Sequence, residues 1–362
     1  MTAGSLEAAV AYGVVGSVAE LPSVPLDDSG WRPLLTGARE ERALGLLAAA
    51  ARAGALPLTE RQQADLIRFD RDGQCVALLL ERLLVDLIQQ LGEIGIDCRM
   101  LKGVATAHLD YPDPAFRLVE EASLLIRPEQ LRPAVSALTD QGWRRQAPEP
   151  AKGYDTRFGK GITLVDTTGL RLTLQRTLAP PPFGLGIRID ELWDRTEHFD
   201  LAGVQLAALS SEERLVHACL ETATRGPALV QMRDIVQLVV GGRVDPQRFL
   251  DTVSAWHLRA VAAFAIQRAW STLAVHEVPR LSAWAARYEP TGWERKALAR
   301  VCTPGVGYAA RALPGLRLVR GPLAKVGYVR AVAFPDRVHT NRRRLRRLAN
   351  AKGLLVRHGP RN

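Results

Sequence analysis

The stretch that decides the fold is residues 96–126, IDCRMLKGVATAHLDYPDPAFRLVEEASLLI. Its first six residues read as a strand that runs into Lys102-Gly103, and a helix is predicted over Val104–Leu109. The prolines of Tyr111-Pro112-Asp113-Pro114 exclude a continuing helix, so we expect a loop before the next element. The apolar run Ala122–Ile126 then predicts a second strand, buried in a sheet.

Short elements continue from this stretch to about residue 178. Pro128 opens a helix that is predicted over Glu129–Gln141. Three further strands are predicted near residues 143–146, 161–166 and 170–178, and Thr167-Thr168-Gly169 reads as the turn of a hairpin between the last two. Strands and helices in this order indicate an α+β module.

Helical patterns lie on both sides of the module. A long helix is predicted over residues 58–91, with an apolar face formed by Val76, Leu80, Leu83, Leu84 and Leu87. Beyond the prolines at 180–182, helices are predicted from residue 210, over 232–240 and over 261–275. The predicted fold class is therefore α+β, a small mixed-sheet core flanked by N- and C-terminal helical regions. The predicted division is a helical region over 1–95, an α/β core over 96–180, a second helical region over 181–335 and a basic tail over 336–362.

The positive charge is concentrated at the end of the chain. Residues 336–362 hold nine arginines or lysines against the single acid Asp336, so they contribute +8 of the formal net charge of +10. The run over 337–347 would attract an anionic partner such as nucleic acid, anionic lipid or an acidic peptide. A solvated basic helix explains the same run, and it lacks interleaved aromatic residues for stacking on bases.

Two classes of protein are disfavoured by the sequence. The first residues lack a basic segment ahead of an apolar one, and no apolar run approaches the roughly 18 residues of a membrane span, so we expect a cytoplasmic protein without an integral membrane segment. The four cysteines are scattered without paired spacing or adjacent histidines, which indicates neither a disulfide framework nor a zinc site. They are predicted to be buried thiols.

A series of motifs within residues 101–129 resembles a known family. Taken in order, Leu101-Lys102-Gly103, Tyr111-Pro112-Asp113-Pro114, Arg117, the segment 121–126 and Arg127-Pro128-Glu129 are similar to the bacterial nucleotidyltransferase-like family related to polymerase β. The resemblance covers roughly residues 60–340. It implies a glycine turn where the phosphates of a nucleoside triphosphate approach the backbone. It also implies strand carboxylates that hold Mg²⁺, with two metals stabilising the attacking and leaving oxygens of nucleotidyl transfer.

The acidic positions that the resemblance implies are only partly acidic here. Glu121 stands at the first position, Ser123 at the second and Thr173 at the third. Serine and threonine hydroxyls are neutral and weaker ligands than carboxylates, so Glu121 is the one possible Mg²⁺ ligand of the three. We therefore expect a degenerate catalytic site in which ordinary two-metal transfer is lost. Asp155 and Asp166 are the first candidates for a further acid beside Glu121.

The basic positions of the resemblance are retained. It implies that Lys102, Gly103 and Arg117 bind phosphate, lysine as a point charge and arginine through two hydrogen bonds. The alternative is that Lys102 and Arg117 are solvated or pair with Glu120 and Glu121. Asp234, beside Arg233 on a predicted helix, also matches a family position, and a structural cap or ion pair accounts for it equally well.

Other possible site signals carry less weight. The glycine-rich loop over 153–161 has one residue too many for a phosphate loop, so we interpret it as a segment flanking the hairpin. Gly184-Leu185-Gly186 follows no strand and opens no dinucleotide-binding helix. His108 and His217 show no placed metal-binding neighbour and are interpreted as packed or surface imidazoles.

Four functions remain open at this point. The first is a nucleotidyltransferase-fold protein that binds a nucleotide or another phosphate-bearing ligand and acts on a small molecule or a peptide. The second is a non-catalytic descendant that serves as a binding or assembly partner. A nucleic-acid binder that uses the basic tail and an enzyme with metal-independent chemistry are weaker alternatives.

Overall fold

Seven strands form one mixed sheet around the segment 98–126. The structure is a computed structural model, and it describes residues 4–119, 121–225, 228–303 and 306–333. The strands are β1 Cys98–Met100, β2 Ala122–Ile126, β3 Arg144–Arg145, β4 Gly161–Val165, β5 Arg171–Gln175, β6 Thr196–Leu201 and β7 Val204–Leu209. Their order across the sheet is β3-β4-β5-β2-β1-β7-β6. Strand β2 runs parallel to β5 and antiparallel to β1, and β1 runs parallel to β7.

The predicted strand over Ala122–Ile126 and the predicted hairpin around Thr167-Thr168-Gly169 are confirmed. Strand β2 has the predicted bounds, and β4 and β5 pair antiparallel on either side of the predicted turn. One carboxylate oxygen of Asp166 accepts hydrogen bonds from the backbone N–H groups of Thr168 and Leu170, which closes that turn. This turn therefore fixes the register of β4 against β5.

The hairpin formed by β6 and β7 was not predicted. Residues 196–209 lie in the region that the sequence indicated as helical, but they pair antiparallel and extend the sheet through β1. The turn uses Ala202 and Gly203, both with positive φ, 54° and 82°. Two-residue hairpin turns of this kind usually carry Asn or Asp before Gly, so the turn lacks its usual sequence signal.

Helices cover both faces of the sheet. The described helices are α1 Gly4–Ala11, α2 Asp28–Glu40, α3 Leu44–Arg52, α4 Glu60–Glu93, α5 Val104–Asp110, α6 Leu131–Asp140, α7 Tyr154–Arg157, α8 Glu191–Asp194, α9 Ser211–Arg225, α10 Leu229–Val240, α11 Pro246–Ala255, α12 Arg259–Thr272, α13 Arg280–Arg287, α14 Gly292–Cys302, α15 Tyr308–Ala312 and α16 Pro322–Ala333. The predicted α+β class is thus confirmed. None of the described helices has the length and apolar character needed to cross a bilayer.

Capping side chains fix the starts of α4 and α9. The Thr59 hydroxyl accepts from the Gln62 N–H, and the Gln62 side chain accepts from the Thr59 N–H, which forms a capping box at the start of α4. Ser210 and Glu213 make the equivalent exchange at the predicted start of α9. On α4, Leu80, Leu84 and Leu87 are buried as predicted, whereas Val76 is 42% exposed.

Two apolar cores lie on opposite sides of the sheet. One packs α4 and α6 against Leu124, Leu172 and Leu174, and the other packs Leu125 together with α9, α10 and α12. The second core also contains Val10 from the N-terminal helices, so packing continues across the predicted limits at 95 and 180. The four-part division stays a prediction, and its basic tail lies outside the described residues.

The cysteines follow their prediction in part. Cys98 and Cys219 are buried, Cys302 is half-buried and Cys75 is exposed. The prediction of a buried thiol is therefore wrong for Cys75, which lies on the solvent side of α4. All four are free thiols, in agreement with the scattered spacing.

Candidate functional site

Alternation along three neighbouring strands places polar side chains on one face of the sheet. Successive strand residues point to opposite faces. The apolar positions of β2, β4 and β5 enter the core under α4 and α6, and they are Leu124, Ile162, Leu164, Leu172 and Leu174. The intervening positions Ser123, Thr163, Thr173 and Gln175 therefore share the opposite face, which is the face towards α9.

The strand register brings these polar residues into a row. Ser123 lies opposite Thr173 in the parallel pair, and Thr163 lies opposite Thr173 in the antiparallel pair. The Thr163 and Thr173 hydroxyl oxygens are 3.1 Å apart and hydrogen-bonded. The row forms the floor of a cavity of about 240 Å³, which we call the Glu121 cavity. Its lining consists of Glu121, Ser123, Lys160, Gly161, Thr163, Thr173, Gln175, Pro180, Glu221 and Thr224.

Two polar atoms in the cavity floor have no hydrogen-bond partner within the described residues. They are the hydroxyl oxygen of Ser123 and the side-chain carbonyl oxygen of Gln175. Both residues are nearly inaccessible to solvent, at 4% and 1% exposure. A buried polar group without a partner costs about 1–3 kcal/mol. These two atoms therefore favour a ligand or an ordered water in the cavity.

A chain of ion pairs forms one wall of the cavity. The Lys102 ammonium lies 2.9 Å from a Glu121 carboxylate oxygen and 2.8 Å from a Glu221 oxygen. The other Glu221 oxygen lies 2.5 Å from the Lys160 ammonium. Burial alone would raise the pKa of Glu221, but the charge of Lys160 and the other neighbours bring it well below its ordinary value. Glu221 is therefore ionised and shared by two lysines.

The residues present do not fit a pair of catalytic metal ions. Two-metal sites need several oxygen ligands of negative charge around each ion. Here the carboxylates of Glu121 and Glu221 are neutralised by Lys102 and Lys160, and the remaining positions carry the neutral hydroxyls of Ser123 and Thr173. Throughout the described parts of the chain, no three His, Cys, Asp or Glu side chains form a group able to hold a metal.

His217 lies below the ion pairs, one helical turn before Glu221. Its Nε2 atom is 3.8 Å from the nearer Glu221 oxygen, which is too long for a hydrogen bond. Burial disfavours the charged ring and lowers the pKa of His217 to about 4, so the imidazole is neutral at pH 7. His217 is thus a packed imidazole, as interpreted, and the i,i+4 acid beside it, Glu221, is engaged by the two lysines.

Arg117 occupies a buried ion pair. Its guanidinium donates to both carboxylate oxygens of Asp234, at 2.8 and 3.0 Å, and to the Leu118 carbonyl oxygen at 2.9 Å. The Tyr111 hydroxyl donates to the same carboxylate at 2.8 Å. This cluster joins the loop before β2 to α10, and it confirms the structural interpretation of Asp234.

The glycine turn after β1 has the predicted place and a conformation that favours glycine. Gly103 has φ 61° and ψ −96°, and a Cβ atom there would lie 3.1 Å from a methyl carbon of Val119. The preceding residue, Lys102, pairs with Glu121, which was one of the alternatives that the sequence left open. Glu120, the other acid considered, lies outside the described residues. The turn thus brings Lys102 against Glu121 and Glu221, two acids that line the cavity.

The structure places a different acid beside Glu121 from the two that the sequence suggested first. Asp155 pairs with Arg145 and Asp166 closes the β4–β5 turn, and neither lines the Glu121 cavity. The neighbouring acid is Glu221, which Lys102 connects to Glu121.

Sequence reasoning missed both Glu221 and Lys160. The available signals were the i,i+4 spacing of His217 and Glu221 on a capped helix, and the position of Lys160 directly before β4 in the loop set aside above.

The sheet, its glycine turn and the adjoining polar row define a nucleotidyltransferase-like α+β protein. The profile of the family described as Uncharacterised nucleotidyltransferase matches residues 27–273, and the chain belongs to that family. No curated protein sequence matches it. Among solved structures, the chain is similar to an antigenic nucleotidyltransferase-like protein from Paracoccidioides brasiliensis, with 16% identity and a TM-score of 0.33, over 54% of this chain and 92% of that one.

Proposed function

We propose that this protein binds a nucleotide or a related phosphate-bearing ligand in the Glu121 cavity without ordinary two-metal catalysis. The observation that carries the proposal is the chain of ion pairs, in which ammonium groups lie against the carboxylates that a metal would need. An ammonium group binds phosphate as a point charge and needs no metal to do so. Lys102, Gly103 and Lys160 would contact the phosphate.

The hydrogen-bonding capacity of Lys102 supports this role. An ammonium group carries three N–H donors, and two of those on Lys102 are directed at Glu121 and Glu221. The third has no partner within the described residues, and the Lys102 side chain is 18% exposed. A phosphate oxygen could accept from it without breaking either ion pair.

Ser123 and Gln175 would orient the ligand, and Arg117 would fix the loop that carries Glu121. The unpartnered oxygen of Gln175 can accept a hydrogen bond only from a ligand N–H or O–H, whereas the Ser123 hydroxyl can donate or accept. Arg117 is proposed as a positioning residue, because its guanidinium is held by Asp234 and Leu118. It would fix the loop that leads to Glu121.

The experiment that tests this proposal is isothermal titration of the full chain with ATP, in EDTA and in Mg²⁺. We expect the same Kd in both buffers, a loss of about tenfold or more in Lys102→Ala and in Lys160→Ala, and no loss in the matched control Lys296→Ala, an exposed lysine of α14. Binding that appears only with Mg²⁺ would contradict the proposal, as would equal binding by all three variants.

The same neutralised carboxylates favour the second candidate, a binding or assembly partner without catalysis. In that case ATP binds and no nucleotidyl group is transferred to any small molecule or peptide. Glu121→Gln distinguishes a non-catalytic binding partner from an enzyme that uses a metal, because the variant keeps the cavity and removes the remaining metal ligand. The role of a non-catalytic partner should survive this substitution. An activity in extracts that survives Glu121→Gln and is lost in Lys102→Ala would support metal-independent chemistry, and its loss in both would support residual metal chemistry at Glu121.

A further inference from the structure

A second, larger cavity lies on another part of the molecule and shares no lining residue with the Glu121 cavity. Its volume is about 860 Å³, and its wall is formed by the loop over 184–191 and the segment over 317–320. Five arginines line it, and we call it the arginine cavity. They are Arg157, Arg176, Arg188, Arg317 and Arg320.

The charges around the arginine cavity are not balanced by the protein. Five guanidinium groups face two carboxylates, those of Asp190 and Glu191, which leaves a surplus of three positive charges. Glu191 is already shared by Arg188, at 2.9 Å, and by the indole N–H of Trp256, at 2.8 Å. The other four arginines form no ion pair with any described residue. A bound anion would supply the missing negative charge.

Arg176 is the part of the cavity that most requires such an anion. It is 5% exposed, and its Nε atom donates to the Gly159 carbonyl oxygen at 2.9 Å. Burial lowers its pKa to about 10, so the guanidinium remains charged at neutral pH. A buried charge is costly to the folded state unless an opposite charge lies beside it. The described residues provide no carboxylate for this one.

The rest of the lining suits an organic group. Phe158, Ile187 and Val319 are buried and contribute apolar surface next to the arginines. Gly184 and Gly186 also line the cavity. A Cβ atom at Gly184 would lie 1.8 Å from the Ala179 carbonyl oxygen, and one at Gly186 would lie 2.8 Å from the Trp256 carbonyl oxygen. Packing thus explains this glycine pair. The volume lies within the roughly 300–1,000 Å³ of small-molecule sites.

We propose that the arginine cavity is a second binding site, which takes an organic polyphosphate such as a nucleoside triphosphate. The guanidinium groups of Arg157, Arg176 and Arg320 bind the phosphates, because the planar guanidinium matches phosphate oxygens in pairs. The organic group lies against Phe158 and Ile187. This site stands apart from the proposed function, because none of its residues belongs to the Glu121 cavity.

The test uses the full chain carrying Lys102→Ala and Lys160→Ala, which disables the Glu121 cavity, with isothermal titration of ATP and of inorganic tripolyphosphate in EDTA. We expect ATP to bind this background more tightly than tripolyphosphate. Adding Arg157→Gln and Arg320→Gln, both exposed positions, should weaken ATP binding by about tenfold or more, whereas adding the control Arg300→Gln should not.

Three results would overturn the second site. They are no binding of either probe to the background chain at millimolar concentration, equal weakening by Arg300→Gln, and unchanged affinity after Arg157→Gln and Arg320→Gln. Tripolyphosphate binding as tightly as ATP would overturn the organic part of the proposal. Because the background already lacks both lysines, failure here is distinct from failure of the proposed function.

Discussion

At the Glu121 cavity, the lining carboxylates of Glu121 and Glu221 meet two ammonium groups, that of Lys160 in the lining and that of Lys102 behind it. In the arginine cavity, five guanidinium groups meet two carboxylates. The first cavity has its charges paired by the protein and keeps neutral polar atoms unpaired. In the second cavity, four of the five guanidinium groups form no ion pair with any described residue. A ligand would therefore contribute hydrogen bonds in the first cavity and negative charge in the second.

The largest expected effect comes from a substitution that removes a paired charge at the Glu121 cavity. Glu221→Gln leaves two lysines without the acid that they share, and we expect the free energy of unfolding to fall by about 3–5 kcal/mol. Urea unfolding at neutral pH measures it. Glu289→Gln, at an exposed position, is the matched control and should change stability by about 0.5 kcal/mol or less. A loss below about 1 kcal/mol at Glu221 would mean that the ion pairs are not a unit.

A smaller effect depends on pH. The pKa of His217 is lowered from 6.5 to about 4, so the unfolded chain binds a proton more readily than the folded one, and stability falls as pH drops from 6.5 towards 4. His217→Gln removes this titration. We expect the wild type to lose up to about 3 kcal/mol relative to the variant between neutral pH and pH 4.

Comparing the wild type with His217→Gln cancels the opposing titration of Glu213. Burial raises the pKa of Glu213 from 4.5 to about 7, so that group loses stability as pH rises through this interval, and it is present in both chains. Unfolding curves measured at several pH values check the prediction. Curves that stay parallel for wild type and variant would contradict it.

The smallest expected effect comes from the unbalanced cavity. Arg176→Met removes a buried charge that has no described carboxylate partner, so we expect the free energy of unfolding to change by about 1 kcal/mol or less. In the background that carries Lys102→Ala and Lys160→Ala, tripolyphosphate should raise the Tm, and adding Arg176→Met should reduce that rise. A loss as large as that of Glu221→Gln would show that the protein itself stabilises the Arg176 charge.

Local patterns in the sequence were sufficient for much of the fold. Strand β2, the β4–β5 hairpin and the long helix α4 were predicted because each depends on neighbouring residues, either through apolar periodicity or through turn chemistry. The β6–β7 hairpin was missed for the converse reason. Its turn places Ala202 at positive φ, a conformation that the sequence alone does not suggest for alanine.

The candidate site was predictable only at the positions that the family resemblance assigns to it. The resemblance identified Glu121, Ser123 and Thr173, and the structure brings these three positions into one cavity. The resemblance could not identify Glu221 or Lys160, because these residues reach the cavity from α9 and from the loop before β4. Their roles depend on tertiary packing, since Lys102 and Glu221 are separated by 119 positions along the chain.

That long separation has a consequence for synthesis on the ribosome. Domains fold as the chain emerges, N-terminal parts first. When the strands up to β5 have emerged, Lys102 and Lys160 are present but the carboxylate that joins them is still to be translated. The ion-pair chain is completed only when α9 emerges and docks, so a nascent chain that stops near residue 180 has the Lys102–Glu121 pair but lacks the Glu221 carboxylate that links Lys102 to Lys160.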